Sequence, residues 1–99
     1  MPDLKMVPEY QPTKPLPRKI NGYPIFASYP IPGDKFTRAS EVIAVDRGPD
    51  ESPRWVVSRL YWDRTSKKWD SQWDSGDYCD TLEEAVEAYA ERRRRALGM

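Results

Sequence analysis

The chain has 99 residues, a formal net charge of zero and a single cysteine, so we expect one domain with one modest core. The zero net charge argues against a strongly basic nucleic-acid-binding domain, and the single cysteine excludes an internal disulfide, on which small secreted domains usually depend. No apolar run reaches the roughly 20 residues that span a bilayer, and no apolar signal core stands near the N-terminus, which predicts a cytoplasmic protein without membrane contact.

Residues 1–20 are predicted to form a flexible, proline-rich arm. The prolines of this segment are Pro2, Pro8, Pro12, Pro15 and Pro17. Proline removes backbone donors and biases the preceding residue toward extended conformations, so the arm is expected to be disordered or in polyproline II form. The remaining residues, 21–99, are predicted to form the folded domain.

Strands are predicted at about residues 25–29, 41–47, 54–63 and 68–74, where short runs rich in β-branched and aromatic residues lie between turn clusters. The first is expected to be an edge strand because prolines flank it, and a second copy of the chain would pair there to form a homodimer. Setting Trp62 opposite Trp69, and Val45 opposite Val56, places nearly every large apolar side chain on one face. The residues of that face are Ile43, Val45, Val56, Leu60, Trp62, Trp69 and Trp73.

A C-terminal helix is predicted at about residues 82–97. Thr81 and Glu84 have the spacing of a capping box, and acids in the first turns with arginines in the last complement the helix dipole. The apolar stripe of this helix is expected to pack on the tryptophan-rich face of the sheet. The predicted class is therefore α+β: a three- to four-stranded antiparallel β-meander packed against one C-terminal α-helix, with the proline-rich N-terminal arm.

Catalysis has little support because the chain contains no histidine, which removes the usual proton shuttle and the Ser-His and Cys-His pairings. Cys79 is interpreted as a small, partly buried apolar residue, although the helix start beside it would lower its pKa. The acids Asp70, Asp74, Asp77 and Asp80 suggest a metal site, but they fail the calcium-loop pattern, and turn formation explains them. We predict no catalytic residue, no cofactor and no metal ion.

Partner binding is assigned to the sheet face opposite the tryptophans and to the basic hairpin turn beside it. The predicted contact residues are Trp55, Arg59, Tyr61, Arg64, Lys67 and Lys68. Aromatic and arginine side chains anchor protein interfaces, which favours a protein partner. The alternative is a nucleic-acid-binding protein that uses the basic turn and the arginines at 92–95 on the phosphate backbone.

The stretch from Glu41 to Arg95 resembles short uncharacterised accessory proteins encoded by phages of actinobacteria. The features that carry the resemblance are WVVSRLYW from Trp55, the Trp-Asp strand after it, DTLEEAVEAY from Asp80, and the arginine-rich end. The resemblance implies a phage accessory factor that binds or inhibits a protein of the bacterial host, in the host cytoplasm. It implies no role for any individual residue. We therefore expect a non-enzymatic protein-binding module.

Overall fold

The computed structural model describes residues 8–98, which form an antiparallel sheet followed by one C-terminal helix. The elements in chain order are a short 3-10 turn (Pro8–Tyr10), β1 (Lys19–Ile20), β2 (Tyr23–Ile31), β3 (Ser40–Asp46), β4 (Trp55–Asp63), β5 (Lys68–Trp69), β6 (Asp77–Cys79) and α1 (Leu82–Ala96). The strands lie in the order β1-β2-β3-β4-β5, and β6 pairs with β4. The predicted α+β class is confirmed.

The predicted register of the central strands is confirmed. Val45 lies opposite Val56, and Trp62 lies opposite Trp69. Alternation of side chains along β3 and β4 therefore sorts the apolar residues onto two faces, as the period of two requires. The outer edge of β2 pairs with β1 only at Tyr23 and Pro24, so the pairing of a second copy at this edge stays a prediction.

The strand predicted at 68–74 is wrong beyond Trp69. Its last residues form a loop, 70–76, before the chain returns to pair β6 with the first residues of β4. The reason is local, because Asp, Ser and Gly in this stretch favour turns over strands. Gly76 permits the close return: a Cβ there would lie 3.0 Å from Cγ1 of Val56 and 3.2 Å from the Val57 carbonyl oxygen.

The N-terminal segment covers one face of the sheet. Ile20 is buried with Ile43, Val45, Val56 and Leu60, and the side chains that pack around this cluster are Leu16, Tyr23, Ile25, Trp69 and Trp73. A hydrogen bond also holds the segment, since the Trp69 indole N–H donates to the Lys14 carbonyl at 3.1 Å. Residues 11–20 thus belong to the packed domain, ahead of the predicted boundary at residue 21. Residues 1–7 of the predicted arm lie outside the described residues.

Helix α1 packs on the opposite face, so its predicted placement over the tryptophans is wrong. The buried residues there are Ile31, Val42, Ala44, Val57, Cys79 and Ala85, with Ala88, Tyr89 and Ala96 of the helix packed against them. Small side chains on both sides explain the choice, since they let the helix backbone approach the sheet closely. The bulkier face is filled by single side chains of the N-terminal segment and by tryptophans.

The ends of α1 follow the sequence prediction. The Thr81 hydroxyl accepts a hydrogen bond from the Glu84 N–H at 3.1 Å, and the Glu84 carboxylate accepts one from the Thr81 N–H at 3.3 Å. This reciprocal pair satisfies two of the donors that a helix start leaves open. In the part of the chain that the structure describes, no helix is long and apolar enough to cross a membrane.

Candidate functional site: an arginine cleft

A polar cleft of about 540 Å³ opens between α1, β4 and the loop 70–76. Its charged and aromatic lining consists of Arg38, Arg59, Arg92, Arg95, Asp70, Asp74 and Tyr61. We call this feature the arginine cleft. Its lining carries more positive than negative side chains, although the whole chain is neutral, so a ligand meets a local field that the net charge does not show.

Four separate parts of the chain build the arginine cleft, and one of them is the irregular segment before β3 that carries Arg38. Arg59 and Tyr61 are two residues apart on β4, so both point to the face on which α1 packs. Arg92 and Arg95 are three residues apart on α1, so they share one side of the helix. The fourth part is the loop 70–76, because the chain leaves the sheet after Trp69.

Two guanidinium groups lie near the ring of Tyr61. The central carbon of Arg38 lies 4.8 Å from the ring centroid, and that of Arg59 lies 5.0 Å from it. Both distances are within the range of a cation–π contact. Arg59 is further fixed by its Nε, which donates to the Ser40 hydroxyl at 2.8 Å. The two guanidinium groups are thus held in defined positions at the cleft.

Neither Arg38 nor Arg59 forms an ion pair with a carboxylate of residues 8–98. The pKa of Asp63 is lowered mainly by hydrogen bonds from Ser66 and Thr65, and Arg38 contributes the smallest effect, at longer range. Arg59 is half-buried and Arg38 is exposed, and a half-buried cation usually has an anionic partner. The two guanidinium groups on Tyr61 therefore retain donors for a ligand.

The other two arginines of the cleft are already paired. The Arg92 Nε donates to the Asp77 carboxylate at 2.8 Å, and Arg95 lies 3.6 Å from the Glu91 carboxylate. A carboxylate at a guanidinium satisfies part of its hydrogen-bonding capacity and its charge. Arg92 and Arg95 consequently contribute less free positive charge than Arg38 and Arg59.

Asp70 and Asp74 form the acidic wall of the cleft. Asp70 also has a structural role. The Asp70 carboxylate accepts a hydrogen bond from the Tyr61 backbone N–H at 2.9 Å, and the Asp70 N–H donates to the Tyr61 carbonyl at 3.1 Å. These two hydrogen bonds stand in place of the backbone hydrogen-bond ladder expected for a strand at 68–74. They hold the start of the loop against β4. Asp74 lies further along this loop, exposed at the cleft.

The structure brings two of the six predicted contact residues, Arg59 and Tyr61, into the arginine cleft. Trp55 is at the other end of β4, with its ring 5.6 Å from that of Phe26. Arg64 lies over the ring of Tyr10 at 4.9 Å. Lys67 and Lys68 are exposed in and beside the hairpin turn. These four residues do not line the cleft, so the predicted set does not form one continuous site.

Arg38 is a cleft residue that sequence reasoning missed. It stands in an irregular segment just before β3, where no periodic pattern assigns a side chain to a face. The sequence marks Arg92 and Arg95 only as members of a basic run. Their spacing of three on a helix was a usable signal, but the loop that completes the cleft was hidden by the prediction of a longer strand.

The arginine run at 92–95 does not present four free cations. The Arg93 guanidinium lies over the rings of Tyr29, at 4.4 Å, and Tyr89, at 5.7 Å, and Arg94 pairs with Glu91. Together with the pairing of Arg92 and Arg95, these contacts direct the run back onto the protein. They reduce the charge that it offers to a phosphate backbone.

Cys79 lies in the core under α1, with 6% of its surface exposed. Burial raises the pKa of its thiol, and the negative charges of Asp77, Glu84 and Asp80 raise it further. Burial and these acids therefore act against the lowering of the pKa that the helix start would give. Within residues 8–98, no cluster of three or more His, Cys, Asp or Glu side chains is suited to a metal ion.

We expect Cys79 to react with iodoacetamide at least about tenfold more slowly in the folded protein than in concentrated urea, because only the accessible thiolate is nucleophilic. The rate is measured by mass spectrometry near the usual pKa of a free thiol, about 8.5. Glutathione in both solutions is the control for the effect of urea on the reagent. Equal rates for the folded and unfolded protein would contradict the buried position of the thiol.

Comparisons of this chain with protein-family models, with curated proteins and with solved structures gave no match. No relative therefore assigns a role to the arginine cleft. Its function has to be inferred from its side chains, their charges and their existing contacts.

Proposed function

We propose that this chain is a non-enzymatic protein-binding module that contacts its partner through the arginine cleft. The observation that carries the proposal is the pair of guanidinium groups on Tyr61, those of Arg38 and Arg59, which have no ion-pair partner among the described residues. Arginine and tyrosine in a preformed pocket are typical of the residues that dominate binding energy at protein interfaces. Following the resemblance to phage accessory proteins, the partner is a protein of the bacterial host, bound or inhibited in its cytoplasm.

The mixed charge of the cleft favours a protein over a nucleic acid. Asp70 and Asp74 stand on the same cleft as the free arginines, and they repel a phosphate backbone. A protein surface offers both signs of charge and backbone N–H groups, so it can complement both kinds of side chain. The basic turn is separated from the cleft, since Arg64 is directed to Tyr10 and to the Asp34 carbonyl.

The proposal is tested by affinity purification from an actinobacterial lysate, with and without nuclease. The baits are the full chain, the double variant Arg38→Gln with Arg59→Gln, and the control variant Arg94→Gln. Arg94 is exposed on α1 and does not line the cleft, so the control removes one charge elsewhere. We expect one host protein to be recovered by the full chain and by the control after nuclease treatment, and to be lost with the double variant.

Two results would contradict the proposal. Recovery of the same protein by all three baits would place the contact outside the arginine cleft. Loss of every captured protein after nuclease treatment would instead support the nucleic-acid-binding alternative. Circular dichroism of each bait shows beforehand that the variants are folded.

A further inference from the structure

We infer that the arginine cleft recognises an acidic peptide segment, with Asp or Glu carboxylates of the partner bound by Arg38 and Arg59. This inference rests on the proposed function and names the chemistry of the partner. It goes beyond that function because a protein could also reach the cleft through a phosphorylated side chain or through uncharged groups. The arguments are the free donors, the acidic wall and the size of the cleft.

Arg38 and Arg59 both keep hydrogen-bond donors that can bind an oxyanion. The Arg59 Nε already donates to Ser40, which leaves the two terminal nitrogens as the edge available to a ligand. Stacking on Tyr61 limits the rotation of both guanidinium planes, so less conformational entropy is lost on binding. A planar fork of this kind binds a carboxylate through two parallel hydrogen bonds.

Neither of these arginines has to break an ion pair in order to bind. Within the described part of the chain, Arg92 and Arg95 are paired through their Nε atoms with Asp77 and Glu91. Each of these carboxylates offsets part of the attraction that its arginine exerts on a ligand carboxylate, so the gain at a paired arginine is smaller. The binding position is therefore assigned to the Tyr61 side of the cleft.

The acidic wall selects between two kinds of oxyanion. Asp70 is fixed by the Tyr61 N–H, and Asp74 is exposed nearby on the same cleft. Both carboxylates accept hydrogen bonds and donate none, so they find no partner on a phosphoryl group, whose oxygens are acceptors as well. A peptide also brings backbone N–H groups that can donate to these two aspartates, which a phosphate backbone lacks.

The size of the cleft suits a peptide segment. Its volume of about 540 Å³ falls within the range of about 300–1,000 Å³ that is usual for ligand pockets. A single carboxylate would leave most of this space to water. A segment of chain on either side of the acidic residue fills it and reaches Arg92 and Arg95 on the helix wall.

The inference is tested by fluorescence anisotropy with a labelled oligoglutamate peptide, at low salt, on the full chain. A labelled oligoglutamine peptide of the same length is the control ligand. We expect the glutamate peptide to bind, the glutamine peptide to bind at least about tenfold more weakly, and Arg59→Gln to weaken the glutamate complex at least about tenfold, as is usual for a lost charged hydrogen bond. Arg94→Gln is expected to change affinity by no more than about twofold, the effect of an exposed charge.

Two further variants keep the test decisive. Arg59→Lys retains the charge but removes the fork, so a loss of affinity close to that of Arg59→Gln would show that the geometry matters as well as the charge. Arg38→Gln changes an exposed residue in an irregular segment, so it leaves the sheet intact even where a change at Arg59 disturbs Ser40. An equal loss in Arg94→Gln and Arg38→Gln would overturn the inference, since the attraction would then be non-specific.

Competition distinguishes the remaining outcomes. Inorganic phosphate that displaces the peptide more strongly than free glutamate does, or a short DNA duplex that binds more tightly than the peptide, would overturn the preference for carboxylates. Failure of the glutamate peptide to bind overturns this inference alone if the double variant still loses the host protein in the affinity purification. If the host protein is retained as well, the proposed function fails too.

Discussion

Replacing Trp62 with alanine is expected to lower the free energy of unfolding by about 3–5 kcal/mol. Trp62 is only 1% exposed, and its ring meets that of Trp69 edge to face, with centroids 5.5 Å apart. Truncation removes this contact and leaves a cavity that the sheet cannot fill. Since small domains are stable by only about 5–15 kcal/mol, the variant should have lost much of its stability. Urea denaturation followed by far-ultraviolet circular dichroism measures the loss.

The matched control is Trp73→Ala. Trp73 is also a tryptophan on the same side of the sheet, but it is only half-buried, and its indole N–H donates to the Tyr78 hydroxyl at 2.7 Å. Its replacement should lower the free energy of unfolding clearly less than that of Trp62. Equal losses at both positions would contradict the central place of Trp62 in the core.

Replacing Ile20 with alanine is expected to lower the free energy of unfolding by about 2–5 kcal/mol, as for other buried isoleucines. Ile20 is 3% exposed and belongs to the cluster that contains Ile43, Val45, Val56 and Leu60. A flexible N-terminal arm would make the same change almost neutral. The experiment therefore decides directly whether the segment before β2 is part of the core.

Lys19→Ala is the control for Ile20→Ala, because Lys19 is the exposed neighbour in the same two-residue strand. Its replacement should change the free energy of unfolding by no more than about 0.5 kcal/mol. The difference between the two variants isolates the buried side chain from any effect on β1 itself. Similar small effects for both would support a flexible arm.

The register of the sheet could be predicted because one pairing of β3 with β4, and of β4 with β5, brings the large apolar residues to the same face. One arrangement collected the large apolar residues on one face, and the structure has its two pairs, Val45 with Val56 and Trp62 with Trp69. Alternation sorts residues onto faces, but it does not say what covers each face. The prediction places α1 over the face with the largest side chains, and the structure places it on the other face.

The predicted position of α1 is wrong because the proline-rich segment is expected to be a flexible arm, whereas part of it packs on the sheet. Proline prevents regular pairing, yet Leu16 and Ile20 between and after the prolines still bury apolar surface. Once this segment fills the bulky face, α1 packs on the other face, where Val42, Ala44 and Val57 are small. Hydrophobic periodicity does not show which face of the sheet the N-terminal segment covers and which face α1 covers.

The candidate site was predictable only where it depends on a strand. Arg59 and Tyr61 share a face of β4, which follows directly from the period of two. Arg38 and the acidic wall depend on an irregular segment and on the point where the chain leaves the sheet after Trp69. Such features are decided by tertiary contacts, such as the hydrogen bonds between Asp70 and Tyr61. No local sequence pattern predicts these contacts.

The two covers of the sheet become available at different times during synthesis. The segment 8–20, which includes β1, leaves the ribosome before the other strands, whereas α1 follows all of them. A nascent chain that has just completed β6 therefore exposes Val42, Ala44 and Val57 until the helix emerges. Exposed apolar sheet surface promotes aggregation, so this short interval is the point at which the protein depends most on dilution or on chaperones.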